Sequence, residues 1–225
     1  MQPLKFKLIL AGDGRVGKTS WIAALRGSPN PEQYRPTLGC EVNPLQFFTV
    51  EPVPTRIVIN AWDTAGQERF AGLQDGYYIS GQLCVIAYDT REISTYNLVP
   101  QLLGAVEHVC DRVPMCVVGM KAEGGEDCRL LPAAQHTTAL LEARGIPVLT
   151  LDAKSGRGLL EPIECLLRQA CGDGALTVSL KEGPAHWQAV PVDEAVGGAG
   201  GGLRRSERAA RQSPREGEEG MGDAS

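Results

Sequence analysis

The sequence predicts an α/β domain: a mostly parallel six-stranded sheet with helices on both faces, followed by a flexible C-terminal tail. Three observations predict it. Short apolar runs alternate with helix-like segments along most of the chain. A glycine-rich segment, Gly12-Asp13-Gly14-Arg15-Val16-Gly17-Lys18-Thr19, joins the first apolar run to the first helical one. After about residue 172 the alternation stops, and from 196 the chain turns rich in Gly, Arg and Glu.

Each element has its own signal. Residues 6–10 read as the first strand, and 18–27 as a helix ended by Gly27, Pro29 and Pro31. Residues 42–50 and 56–62 are rich in β-branched and aromatic types and flank Glu51-Pro52-Val53-Pro54, a turn between paired strands. Residues 83–88 form a further apolar strand, followed by a helix over 94–109. Residues 115–118 are strand-like, and Gly124-Gly125 breaks the chain. Pro132 opens a helix to about 143, proline being favoured in a first turn. Residues 148–151 make the last strand of the domain and 159–170 a closing helix. In such sheets ligands bind beyond the carboxyl ends of the strands.

Composition narrows the function. At 225 residues and 43% hydrophobic content, the chain can bury one well-filled domain and still carry a tail. A net charge of −5 gives no general attraction for nucleic acid or an anionic membrane. The seven cysteines form no C-x-x-C pair and fit a reducing compartment. No signal peptide opens the chain and no apolar run reaches spanning length. The final Gly-Asp-Ala-Ser lacks a prenylatable cysteine, so no lipid anchor is expected. His108, His136 and His186 show no metal-ligand spacing.

The glycine-rich segment has the form G-x-x-x-x-G-K-[ST] between a strand and a helix, the setting in which it cradles phosphates. Main-chain N–H groups of Asp13, Gly14, Arg15, Val16, Gly17, Lys18, Thr19 and Ser20 would face phosphate oxygens, helped by the positive end of the helix. Lys18 would bridge the β- and γ-phosphates, and the Thr19 hydroxyl would ligate Mg²⁺. Asp63-Thr64-Ala65-Gly66-Gln67-Glu68 follows the strand over 56–62. There Asp63 would hold Mg²⁺, the Gly66 N–H would reach the γ-phosphate, and the Gln67 amide would orient the attacking water. Between the two motifs, Thr37 would close on the metal with its hydroxyl and on the γ-phosphate with its N–H. Hydrolysis is thus assigned to Gln67, Lys18 and Thr37, and the metal to Thr19, Thr37 and Asp63.

These motifs make the chain similar to the Ras-superfamily small GTPases, whose fold is the P-loop NTPase small G domain, and most similar to the Ran family. The resemblance rests on residues 37–45 (TLGCEVNPL), on 62–79 (WDTAGQERFAGLQDGYYI) and on Thr95-Tyr96-Asn97-Leu98-Val99-Pro100, and it spans about 4–172. It implies binding of GTP or GDP with Mg²⁺ and GTP hydrolysis that is slow without an activating protein. It also implies an exchange factor, a monomer, no direct contact with nucleic acid, and a role in nucleocytoplasmic transport of protein or RNA. Nuclear transport receptors would be partners and nucleus and cytoplasm the location.

The chain departs from the family at the base. Where the family has Asn-Lys-x-Asp, the residues are Met120-Lys121-Ala122-Glu123; where it has Ser-Ala-Lys, they are Asp152-Ala153-Lys154. Lys121, Glu123, Ala153 and Lys154 are the residues the resemblance places against guanine. The basic family segment reads Pro132-Ala133-Ala134-Gln135-His136-Thr137-Thr138-Ala139, and the acidic family terminus is only mildly acidic. Two classes of function follow: a working switch, or a pseudo-GTPase interaction module with weakened or altered nucleotide binding. In organisation, residues 1–172 are the G domain. Residues 173–195 are an extended segment that packs on it, and 196–225 a disordered tail.

Overall fold

The computed structural model describes residues 2–28, 35–49, 55–66, 76–122 and 127–180. Seven strands are present, Leu4–Gly12 (β1), Cys40–Thr49 (β2), Arg56–Thr64 (β3), Leu83–Asp89 (β4), Met115–Met120 (β5), Val148–Thr150 (β6) and Val178–Ser179 (β7). They form one sheet in the order β6-β5-β4-β1-β3-β2-β7. Strands β3, β1, β4, β5 and β6 run parallel; β2 is antiparallel to β3, and β7 to β2. The sheet therefore has seven strands where six were expected. The seventh is part of the extended segment after residue 172: Ser179 pairs with Phe48 and Val178 with Thr49. It covers the end of β2, an edge otherwise open to a stray strand.

Both faces of the sheet are covered, which is why the central strands are apolar throughout rather than alternating. Leu8 and Leu10 point to one face, where they meet Trp21 and Ile22 of Lys18–Leu25 (α1) and Ile163, Leu166 and Leu167 of Glu161–Cys171, the last helix. Ile9 and Ala11 point to the other, against Tyr96, Val99, Leu103 and Leu141. That face is built by Ile93–Asn97 (α2), Val99–Val109 (α3) and Gln135–Ala143 (α4). The last helix, α5, reads its burial from spacing: positions 163, 166 and 167 recur on one side. Glu161 lies at its start and Gly172 ends it at φ 68°, a left-handed cap that glycine reaches without strain.

Two helices differ from expectation. The single helix over 94–109 is two, broken at Leu98, because Pro100 has no N–H to give the preceding turn and restarts the helix from its first turn. The helix expected from Pro132 begins as a 3₁₀ turn, Pro132–Ala134, and becomes α-helical at Gln135. Another 3₁₀ turn, Cys128–Leu130, is capped by Asp127, which accepts from the Arg129 N–H. The turn at 51–54, the break at 124–125 and the tail beyond 180 lie outside the described residues. Among the described residues no helix is long and apolar enough to cross a membrane.

Candidate functional site

The site grows from the carboxyl end of β1. Gly12 has φ 154°, and a side-chain carbon there would come within 2.6 Å of the Ala87 carbonyl oxygen on β4. Only glycine lets β1 turn so close to its neighbour. The chain then loops into α1, whose first residue is Lys18. Arg15 takes φ 63° within this loop, a left-handed conformation that costs a residue with a side chain about 1–2 kcal/mol. A cavity of about 800 Å³ opens above the loop. Every residue from Gly14 to Ser20 lines it, together with Thr37, Gly66 and Lys121. Asp13, also expected at the phosphates, does not line it; its carboxylate accepts from the Gly14 N–H at 2.6 Å.

Lys18 is nearly buried, and its Nζ donates to the carbonyls of Gly12 at 2.8 Å and Asp13 at 2.9 Å. Burial lowers its pKa to about 8, against the opposing pull of Asp63 and Asp13. The ammonium thus spans the loop while facing the cavity, poised to exchange carbonyl partners for phosphate oxygens.

The three expected metal ligands come from three separate segments and converge. Thr19 Oγ1 donates to Asp63 Oδ2 at 2.5 Å and lies 3.2 Å from Thr37 Oγ1. Asp63 is fully buried at the end of β3, and its Oδ1 has no hydrogen-bond partner. Burial raises its pKa, opposed by the Thr19 hydroxyl and by Lys18, with Glu41 adding to the rise. A buried carboxylate with one oxygen unpartnered, flanked by two hydroxyls, is a hard-oxygen donor set that fits Mg²⁺. Thr19→Asn is expected to lower GTP affinity in Mg²⁺ by at least about 10-fold while sparing Mg²⁺-free binding, since one ligating hydroxyl of about 1.5–3 kcal/mol is lost. Titration of a fluorescent GTP analogue with and without EDTA checks it; equal affinities in Mg²⁺ would remove Thr19 from the metal site.

Gly66 rests directly on the phosphate loop. A side-chain carbon there would overlap the Gly14 nitrogen and the Asp13 carbonyl group, so no other residue fits. This puts the Gly66 main chain beside Gly14, on the cavity wall. Gln67 and Glu123 lie outside the described residues.

The base side is built differently from its family pattern. Met120 is buried in the core, where an amide would need polar partners, and only its carbonyl acts, accepting from the N–H and the hydroxyl of Thr90, each at 3.1 Å. Lys121 takes φ 59° and crosses the site: its Nζ donates to the Arg15 carbonyl at 2.5 Å and to Asp89 Oδ2 at 2.7 Å. Asp152 folds onto its own turn, accepting from the N–H of Ser155 at 2.9 Å and of Lys154 at 3.3 Å. Neither Ala153 nor Lys154 lines the cavity.

Two functional groups escaped sequence reasoning. Asp89 anchors Lys121 and Arg91 at once. Its pKa is lowered, the Arg91 and Lys121 contacts outweighing burial. Its signal was available: a carboxylate at the carboxyl end of an apolar strand. Arg157 had none. Its Nη2 donates to the Ala122 carbonyl at 3.0 Å, tying the two base loops together, as does the Ala122 N–H on Leu151 O at 3.2 Å.

Residues 7–171 match the family model of the Ras family. The matched span holds the phosphate loop, the converging Thr19, Thr37 and Asp63, and both base loops. The chain therefore belongs to the Ras family of small GTP-binding switches, whose members bind GTP and GDP with Mg²⁺, hydrolyse GTP and answer to exchange factors and activating proteins.

Proposed function

We propose that this chain is a Ran-like switch that cycles between GTP and GDP, hydrolyses GTP at Gln67, Lys18 and Thr37, and serves nucleocytoplasmic transport. The observation that carries the nucleotide cycle is the meeting of Thr19, Thr37 and Asp63 beside buried Lys18. The Thr37 hydroxyl reaches the Thr19 hydroxyl of α1 at 3.2 Å and lines the cavity, where a bound phosphate and metal would hold its loop. A bound Mg²⁺ would neutralise phosphate charge there. Main-chain N–H groups of residues 13–20 bind the phosphates, Lys18 holds the β- and γ-oxygens, and Thr37 and Gly66 read the γ-phosphate. Loss of that phosphate releases both segments.

The transport role is supported by the Ran-like runs at 37–45 and 62–79, whose described residues contribute the start of β2 and the end of β3. Nucleus and cytoplasm are the proposed location, and transport receptors the proposed partners. The primary test is the nucleotide that co-purifies with the full chain, released by denaturation and identified by chromatography. GDP or GTP at about one per chain is expected. An empty protein, or one carrying adenine nucleotide, would overturn the guanine switch in favour of the pseudo-GTPase module. Capture of a nuclear transport receptor by the GTP form and not the GDP form then tests the transport role separately.

Gln67→Leu is expected to leave nucleotide binding unchanged and to cut activator-stimulated hydrolysis by about 10²–10³, the cost of removing one oriented polar group from a transition state. Single-turnover phosphate release with and without an activating protein measures it. Equal stimulated rates would take Gln67 out of the reaction.

A further inference from the structure

Four cationic side chains line the nucleotide cavity, and they reach it from three directions. Arg15 and Lys18 belong to the phosphate loop and the start of α1, and Lys121 to the base side. Arg35 comes from the loop that carries Thr37. Lys18 is engaged with the Gly12 and Asp13 carbonyls, and Lys121 with the Arg15 carbonyl and Asp89. Arg35 is exposed, and no ion pair holds its guanidinium among the described residues. Glu41, exposed on β2, is the one carboxylate among the described residues of the lining.

Chain geometry sets Arg35 at the phosphate end of the cavity rather than at the base. Thr37 Oγ1 lies 3.2 Å from Thr19 Oγ1, so this loop closes over the phosphate end. Two residues of chain span at most about 7 Å, which keeps the Arg35 main chain beside Thr37 and its long side chain within reach. Pro36 fixes its own φ and restricts Arg35 to extended backbone, so little freedom is lost when the guanidinium docks. On the cavity wall Gly66 lies against Gly14, and neither has a side chain to occupy the space. A planar fork of N–H donors delivered there matches the oxygens of a phosphoryl group.

We propose that Arg35 is a catalytic residue of GTP hydrolysis, an arginine finger that the chain supplies to its own γ-phosphate; this rests on the cavity being a GTP site. In the reaction the oxygen of water bonds to the γ-phosphorus, and the bond from that phosphorus to the β–γ bridging oxygen breaks. The electron pair stays on the bridging oxygen, so GDP leaves with the charge, and the proton of the water passes to the released phosphate. Arg35 stays protonated throughout. Its guanidinium donates to a γ-oxygen and to the bridging oxygen, where negative charge grows as the bond breaks. Lys18 holds the same phosphates from the loop side, so Arg35 adds a second cation from the side of Thr37. In the empty protein Glu41 is the carboxylate available to it, and bound phosphate takes its place.

Single-turnover phosphate release from the full chain loaded with GTP and Mg²⁺, with no activating protein present, tests this. Arg35→Ala is expected to slow release by about 10- to 100-fold, the worth of a guanidinium supplied within the chain, and to change GTP and GDP affinity by less than about 3-fold. Arg35→Lys keeps the charge without the fork and should recover only part of the rate. GDP with aluminium fluoride, a mimic of the phosphoryl group in transfer, should bind the full chain alone. Arg35→Ala should lose that complex while still holding GDP. A thermal melt checks that each variant is folded, as the exposure of Arg35 leads one to expect. Equal release from the parent and Arg35→Ala overturns the finger. A matching loss of GTP and GDP affinity at an unchanged rate also overturns it, and makes Arg35 a ground-state phosphate contact. A parent chain that binds no guanine nucleotide overturns the GTP site itself, which is a separate result.

Discussion

Lys18→Ala is expected to weaken GTP binding by about 10²- to 10⁴-fold, the largest effect of any single change in the site. Its ammonium makes two short contacts within the loop, to Gly12 and Asp13, which nucleotide phosphates would replace with charge-assisted ones. Two such bonds at about 1.5–3 kcal/mol each give that range. The fold should survive, because α1 is held by apolar anchors that Lys18 does not touch: Trp21 is fully buried and its Nε1 donates to the Leu159 carbonyl at 3.0 Å. Asp63 will feel the loss. Without the Lys18 charge, burial raises its pKa further, so the variant should bind Mg²⁺ less well at mildly acid pH than at neutral pH. Titration of a fluorescent GTP analogue, paired with a thermal melt, separates binding from folding. Unchanged affinity in a folded variant would mean that the phosphates lie elsewhere.

How far the sequence discloses this molecule depends on how local each cause is. The phosphate loop was legible residue by residue because its chemistry is written into one contiguous run, Gly12 to Thr19. The strands were legible because burial on both faces leaves them apolar; each of the six expected is present, displaced at its ends by a few residues. Strand β7 is only Val178–Ser179 and is fixed by pairing with Phe48 and Thr49, so no run of its own announces it. The break at Leu98 was readable in principle, since Pro100 carries its cause, but the apolar period continues across it and masks the interruption. What stayed hidden are contacts between distant segments. Nothing near Arg157 says that it will reach Ala122, or near Lys7 that its Nζ will lie 3.6 Å over the Trp62 ring and donate to Ile79.

The base loops show where sequence reasoning needs revision, and they give the second large prediction. Replacing the family Asn by Met120 removes an amide that ties neighbouring loops, which taken alone implies a looser site. The structure supplies other ties: Arg157 to Ala122, Ala122 to Leu151, and Lys121 to both Arg15 and Asp89. Met120 meanwhile fills apolar space, and an asparagine there would bury an amide at a cost of about 1–3 kcal/mol wherever it lacked partners. Any deficit in guanine binding is therefore expected to fall on Glu123, whose longer stem would have to fold back to accept both guanine donors. Glu123→Asp is expected to slow GDP release by about 10- to 100-fold, the worth of one charge-assisted bond of about 1.5–3 kcal/mol. It should also widen the preference over ATP, because discrimination is the difference between two such sums. Adding Met120→Asn should slow release little further and lower the melting temperature. Release of a fluorescent GDP analogue, chased with GDP or ATP, distinguishes the two contributions. If the double variant holds GDP far longer than Glu123→Asp alone, the missing amide was the weak point and Arg157 does not replace it. If neither variant slows release, guanine is held by contacts outside both loops.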